Sequence, residues 1–227
     1  MKTHDGLAYA IIELYRATYK TTDSLDIRLV KRWIQEYRAF LLKQKLSRPL
    51  EVLDLSYVQH LGLLELEAVN ASTDPSIDLF SEVLVTVANI PEPIENNQGK
   101  YAITRLALPD LRVANLSLYS YEHAARAGHG RFNKREIFLF LYNGKIYLKC
   151  NDDAFYLEST THLEVSGIFQ DPYDAGYTST DRYPITESLF RDITHLIVTE
   201  KFPYKHAPLK DNVADDSDNV VNIKREE

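Results

Sequence analysis

The sequence has a single cysteine, Cys150, among 227 residues, and it has no long run of apolar residues. One cysteine excludes an internal disulfide and a thiolate metal cluster, so we expect a protein of a reducing cytoplasm that is stabilised by packing or by partners. A membrane span needs roughly 18 consecutive apolar residues, and no segment approaches that length. Asp5 and Glu13 interrupt the N-terminal stretch that a signal peptide would need, so we expect no export.

Motifs of common enzyme chemistry are also missing. The sequence contains no H-E-x-x-H, G-x-S-x-G or G-x-x-x-x-G-K-[ST] pattern, and its seven histidines are scattered. His123 and His129 flank a glycine-containing segment that leads into a strand, whereas a phosphate-binding loop leads into a helix, so a surface loop is favoured. We therefore expect no catalytic residue, no cofactor and no metal site.

Helices are predicted at both ends of the chain. Apolar residues at helical spacing predict a first helix from Leu7 to Thr18. A second helix is expected to start at an N-cap on Asp23 or Ser24 and to close before Pro49. A third is expected from about Ile185 to Glu200. The buried stripe of the second helix is predicted to contain Ile27, Val30, Ile34, Tyr37 and Leu41, widened by Trp33 and Phe40.

Short apolar or alternating runs separated by turn residues predict an antiparallel sheet between the two helical ends. The clearest feature is IFLFLYNGKIYLK, where Asn143 and Gly144 are residue types that readily adopt the positive φ that a two-residue hairpin turn requires. Four more strands are predicted, from Leu50 to Val58, Phe80 to Val87, Tyr101 to Leu106 and Leu163 to Phe169.

These elements predict an α+β fold in which N- and C-terminal helices form a small bundle with an inserted antiparallel β-rich region and an extended C-terminal arm. The expected parts are an N-terminal helical hairpin (1–48), the β-rich insertion (49–184), a C-terminal helix packed on the N-terminal helices (185–205) and the arm (206–227). The arm is polar and has little to bury, so we expect it to be disordered in an isolated monomer.

Three groups of residues are candidates for interfaces. The net charge of −7 speaks against a nucleic-acid-binding surface over the whole molecule, yet the second helix is locally basic. Its cations could simply face solvent, which is the commonest case, or contact DNA phosphates or the acidic arm of a neighbouring copy; of the two partners, we favour the arm over DNA. Tyrosines are enriched at interfaces. The candidates are Arg28, Lys31, Arg32 and Arg38 of the helix; Tyr173, Tyr177 and Tyr183; and Lys210, Asp211, Asp215, Asp216 and Asp218 of the arm.

Six segments in order resemble the ring or adaptor proteins of the head-to-tail connector in crAss-like phages and their short-tailed relatives. They are DIRLVKRWIQEYRAFLLKQ, IPEPIE, GRFNKREIFLFLYNGKIYLK, SGIFQDPYDA, RYPIT and APLKDNVADDSDN. The resemblance implies a virion structural protein, not an enzyme. It also implies that about twelve copies form a ring on the portal protein, in contact with other connector or tail rings. This ring would be assembled in the host bacterial cytoplasm and would seal and extend the DNA channel. The alternative is a DNA-contacting binding module of the particle that uses Arg28, Arg32 and the loop from Arg126 to Arg135.

Overall fold

The computed structural model describes residues 3–20, 25–48, 54–70, 82–113, 116–126, 137–150 and 160–203. The helices are α1 (His4–Tyr19), α2 (Ile27–Leu46), α3 (Tyr121–Arg126) and α4 (Glu187–Leu196), with a 3-10 turn at Leu55–Tyr57 and a π-helical turn at Ile197–Lys201. The strands are β1 (Gln59–Asn70), β2 (Glu82–Thr86), β3 (Ile103–Ala107), β4 (Leu118–Tyr119), β5 (Ile137–Tyr142), β6 (Lys145–Cys150) and β7 (His162–Gly167).

Side-chain caps set the starts of the first two helices. Thr3 accepts a hydrogen bond from the Gly6 N–H at the start of α1, and Asp26 accepts one from the Arg28 N–H at the start of α2. The predicted N-cap of α2 at Asp23 or Ser24 is therefore wrong, because the helix starts at Ile27 and its N-cap is Asp26. Phe40 is 50% exposed and lies outside the buried stripe of α2.

The sheet has seven strands in the order β3-β7-β1-β2-β6-β5-β4. Strand β1 joins its two halves, because residues 59–65 pair with β7 whereas residues 66–70 pair with β2. All of the neighbouring strands are antiparallel except β4 and β5, which are parallel. The sheet is thus mixed rather than antiparallel, and β3 and β4 are its two edges.

The hairpin predicted at Asn143-Gly144 is confirmed. It joins β5 to β6, and the two turn residues have φ angles of 46° and 73°. Positive φ at both positions gives a turn whose twist matches that of the flanking strands.

The predictions for β2, β3 and β7 were more accurate than the prediction for the first strand. Strands β2, β3 and β7 lie where three runs predicted them, with small shifts at their ends. A strand from Leu50 to Val58 is wrong in its described part, because the Asp54 carboxylate accepts a hydrogen bond from the Ser56 N–H and starts a 3-10 turn. The strand comes afterwards, as β1, and its register shift between His60 and Gly62 breaks the alternation that sequence patterns depend on.

Predicting a helical bundle as the core of the fold was wrong, because the seven-stranded sheet organises the molecule. Helix α2 does contact both α1 and α4, but their shared apolar cluster also contains Tyr57, Ile94, Ile168 and Tyr183 from segments that border the sheet. A second cluster, which includes Leu106, lies on one face of the sheet. The helices complete a core that they share with sheet-linked segments and do not enclose one by themselves.

Candidate assembly surfaces

Arg38 of α2 is an internal residue. Its side chain is fully buried, and its guanidinium donates hydrogen bonds to the carbonyl oxygens of Phe169 at 2.8 Å and Pro184 at 3.0 Å. Its charge also lies over the ring of Tyr183, 5.9 Å from the centroid. Burial lowers the pKa of Arg38 from its usual value. Arg38 therefore holds the segment around residues 169–184 against α2 and does not reach the surface as an interface residue would.

Two of the other three candidate cations of α2 are neutralised within the chain. Lys31 forms an ion pair with Asp5 of α1, and Arg32 forms one with Glu36, one helical turn along α2, at 2.9 Å. Among the four candidate cations, Arg28 alone is exposed without a carboxylate partner in the described part of the chain. One free charge is a weak basis for binding DNA phosphates or an acidic arm.

The candidate tyrosines fix a loop onto α1. Tyr183 is fully buried and stacks on the ring of His4 at 4.2 Å between centroids. Tyr173 shares a hydrogen bond with His4 Nδ1 at 2.8 Å, and the hydroxyl of Tyr177 donates to the Asp181 carbonyl oxygen at 2.8 Å. Burial raises the pKa of each of the three phenols. Their role in the monomer is therefore to shape the surface that the loop presents.

His4 is the titratable centre of this cluster. Burial, followed by the positive charge of Lys31, lowers the pKa of His4 to about 4. The imidazole is therefore neutral near pH 7, which allows it to stack on Tyr183 and to contact the Lys31 carbonyl oxygen through Nε2 at 3.2 Å.

The surface beside this loop carries the most exposed large apolar side chain in the described structure. Leu55, on the 3-10 turn, is 84% exposed and borders a depression of about 390 Å³ that the loop also lines. A second recess of about 270 Å³ lies on the other side of Tyr183, lined in part by Leu7, Ile185 and Phe190. We name Leu55 and these two recesses the Leu55 patch. The sequence analysis missed it because it placed Leu55 inside a strand.

The arm candidates Lys210, Asp211, Asp215, Asp216 and Asp218 lie outside the described residues, as does most of the Arg126 to Arg135 loop. Within the described ranges, no cluster of three or more His, Cys, Asp or Glu side chains could hold a metal ion. No helix there is long and apolar enough to cross a membrane.

The chain matches the model of a known protein family. The family model described as phage tail ring protein 2, of crAss-like phages, matches residues 6–220. A search of curated proteins found no match. Because the family model covers nearly the whole chain, including part of the arm, the resemblance to a crAss-like phage ring protein is confirmed. This chain belongs to the phage tail ring protein 2 family and is a structural ring component of a virion.

Proposed function

We propose that this protein forms a closed ring of about twelve copies in the head-to-tail connector, between the portal and the tail, where the ring seals and extends the DNA channel. Its assembly takes place in the host bacterial cytoplasm. The observation that carries the proposal is the family match over residues 6–220, because a ring protein must associate with copies of itself. The portal partner and the copy number follow from the resemblance of the six segments to connector rings.

A ring of identical subunits closes through a head-to-tail contact, which joins two different patches on each copy. The Leu55 patch has the properties expected of one of them. A single exposed leucine is common on protein surfaces, but Leu55 borders a recess whose other wall is the loop that Arg38 and the buried tyrosines hold in place. A fixed apolar surface of this kind costs little conformational entropy when a partner covers it.

Electron microscopy of the purified protein, alone and mixed with the portal of the same phage, tests the proposal. We expect monomers or weakly associated copies without portal, and rings on the portal once it is added. Failure to bind the portal or any other virion protein would contradict the proposed function.

The variant Leu55→Ser tests the patch within that experiment. Because Leu55 is 84% exposed, its loss should leave the free energy of unfolding within about 0.5 kcal/mol of the wild type. We expect ring formation to fall at least tenfold. Leu63→Ser is the matched control, since Leu63 is a 59% exposed leucine of β1. Equal ring formation by both variants and the wild type would remove the Leu55 patch from the proposal.

A further inference from the structure

The two edge strands of the sheet, β3 and β4, face each other across an open seam. Among the described residues, the two sides are joined at one end of the seam, where Leu108 and Val113 exchange two backbone hydrogen bonds and the Leu116 N–H donates to the Leu106 carbonyl oxygen at 3.0 Å. Next to that bond lies a cavity of about 860 Å³ whose walls include both edges. Edge strands present unpaired backbone N–H and C=O groups, which pair readily with a further strand.

The walls of the seam suit an extended segment with apolar side chains. Its apolar lining comes from Ile103, Leu106, Leu116, Leu118 and Leu141, with Tyr101 and Tyr119 beside them. Its one formally charged lining residue is Lys100, and the described lining includes no carboxylate. β3 has five residues and is therefore roughly 17 Å long, which matches a strand of about five or six residues.

We propose that the seam accepts residues 219–224 from the C-terminal arm of a neighbouring copy, as an added strand between β3 and β4. This inference rests on the proposed function, since it assigns a further contact between neighbouring copies in the ring, in addition to the Leu55 patch. The segment has the sequence NVVNIK, whose β-branched residues favour a strand. Val221 and Ile223 are two positions apart, so in a strand both side chains point to the same face and can meet the apolar part of the cavity lining.

Charge favours the same pairing. The arm carries four aspartates, Asp211, Asp215, Asp216 and Asp218, directly before the strand-forming segment. The seam offers Lys100 without an opposing carboxylate, whereas Lys31 and Arg32 of α2 already have acidic partners. The seam is therefore a better acceptor for the arm than the basic helix that the sequence analysis favoured.

The arm is long enough to reach another subunit. The last residues that the structure describes, Phe202 and Pro203, follow the helical layer, where the ring of Phe202 packs on Tyr15 at 4.9 Å. Residues 204–218 can span up to about 50 Å when extended. The family match includes the arm as far as residue 220. Arm and seam are thus two different surfaces of one chain, as a head-to-tail ring requires.

Disulfide crosslinking in assembled rings tests the inference. Ser117 is exposed and lines the seam, and the native Cys150 is buried, so Ser117→Cys and Val221→Cys can be introduced into separate full-length chains. The two chains are mixed, assembled on the portal and oxidised. We expect a covalent dimer that contains one chain of each kind. The matched control pairs Val221→Cys with Arg28→Cys on α2, and we expect no crosslink there.

Several outcomes would overturn the inference. Rings that form without the crosslink between positions 117 and 221, or with a crosslink to position 28, would refute it and leave the proposed function standing. An internal disulfide in a monomer that carries both Ser117→Cys and Val221→Cys would show that the arm occupies its own seam. If no portal or other virion partner supports assembly, the proposed function fails and this inference fails with it.

Substitutions in the arm provide a second test. Ile223→Asp places a charge on the face that enters the cavity, and we expect ring formation to fall at least tenfold with no change in the melting temperature of the free protein. Asn222→Asp adds the same charge on the opposite face and should assemble normally. Equal assembly by the two variants would refute the inserted strand.

Discussion

Replacing Arg38 with alanine should destabilise the fold substantially, because its side chain is fully buried within the chain. The substitution removes two charge-assisted hydrogen bonds, to the carbonyl oxygens of Phe169 and Pro184, and leaves both acceptors facing a buried gap. Hydrogen bonds to charged groups contribute about 1.5–3 kcal/mol each. Relief from burying the guanidinium offsets part of that loss. We expect the free energy of unfolding to fall by about 3–4 kcal/mol.

Matched variants separate the causes of that loss. Arg38→Met keeps most of the side-chain volume but loses the charge and the hydrogen bonds, so we expect it to recover about 1–2 kcal/mol relative to Arg38→Ala. Arg28→Ala, at an exposed position of the same helix, should stay within about 0.5 kcal/mol of the wild type.

Urea unfolding provides the measurement. Trp33, the only tryptophan, lies on α2 and is 8% exposed, so its fluorescence should follow the unfolding of the helical layer. For a chain of this size, a loss of 3–4 kcal/mol corresponds to a decrease of about 10 °C in the melting temperature. A loss below about 1 kcal/mol in Arg38→Ala, with an unchanged denaturant slope, would refute the internal role that we assign to the guanidinium.

Three further predictions concern other parts of the molecule. Folding lowers the pKa of His4 from 6.5 to about 4, so between these pH values the unfolded state binds more protons than the folded state. The free energy of unfolding should therefore fall as the pH drops from about 6.5 to 4. In pH-dependent unfolding curves, His4→Gln should lack this component. Gly167→Ala should cost about 1–3 kcal/mol in thermal unfolding, since its Cβ would lie 2.9 Å from the Ala102 carbonyl oxygen; an unchanged melting temperature would contradict that close approach. Truncation before Ala207 should leave the melting temperature unchanged, because the described core ends at Phe202. It should reduce incorporation of the protein into particles, as judged by gel analysis of purified virions. Unfolding of the truncated protein would contradict this prediction.

Local patterns predicted the elements whose conformation depends on neighbouring residues. The hairpin at Asn143-Gly144 was predictable because two consecutive positive φ angles select those residue types. Helices α1 and α2 were predictable because their apolar residues recur at helical spacing over several turns. Strand β1 was not, since the irregularity near Gly62 and the change of pairing partner along its length interrupt the alternation.

For the interface candidates too, the sequence indicated local patterns but not the contacts between distant residues. The sequence places Arg38 on a helical stripe with Arg28, but it does not show that the Phe169 and Pro184 carbonyl oxygens lie within reach of its guanidinium. Likewise, Asp5 and Lys31 are 26 residues apart and become an ion pair only when α1 packs on α2. A basic pattern on an isolated helix therefore overestimated the charge that the folded surface presents.

By itself, the sequence determined helices α1, α2 and α4, the hairpin and, through six ordered segments, membership of a phage ring family, because each depends on residue types at short spacing. It missed α3, whose segment was predicted to be a surface loop. Tertiary structure alone decided that a mixed sheet organises the fold, that Arg38 and Tyr183 are internal, and that β3 and β4 border a seam. These features arise from contacts between residues far apart in the chain. Their partners, burial and charge are fixed only when the sheet and the helices pack together.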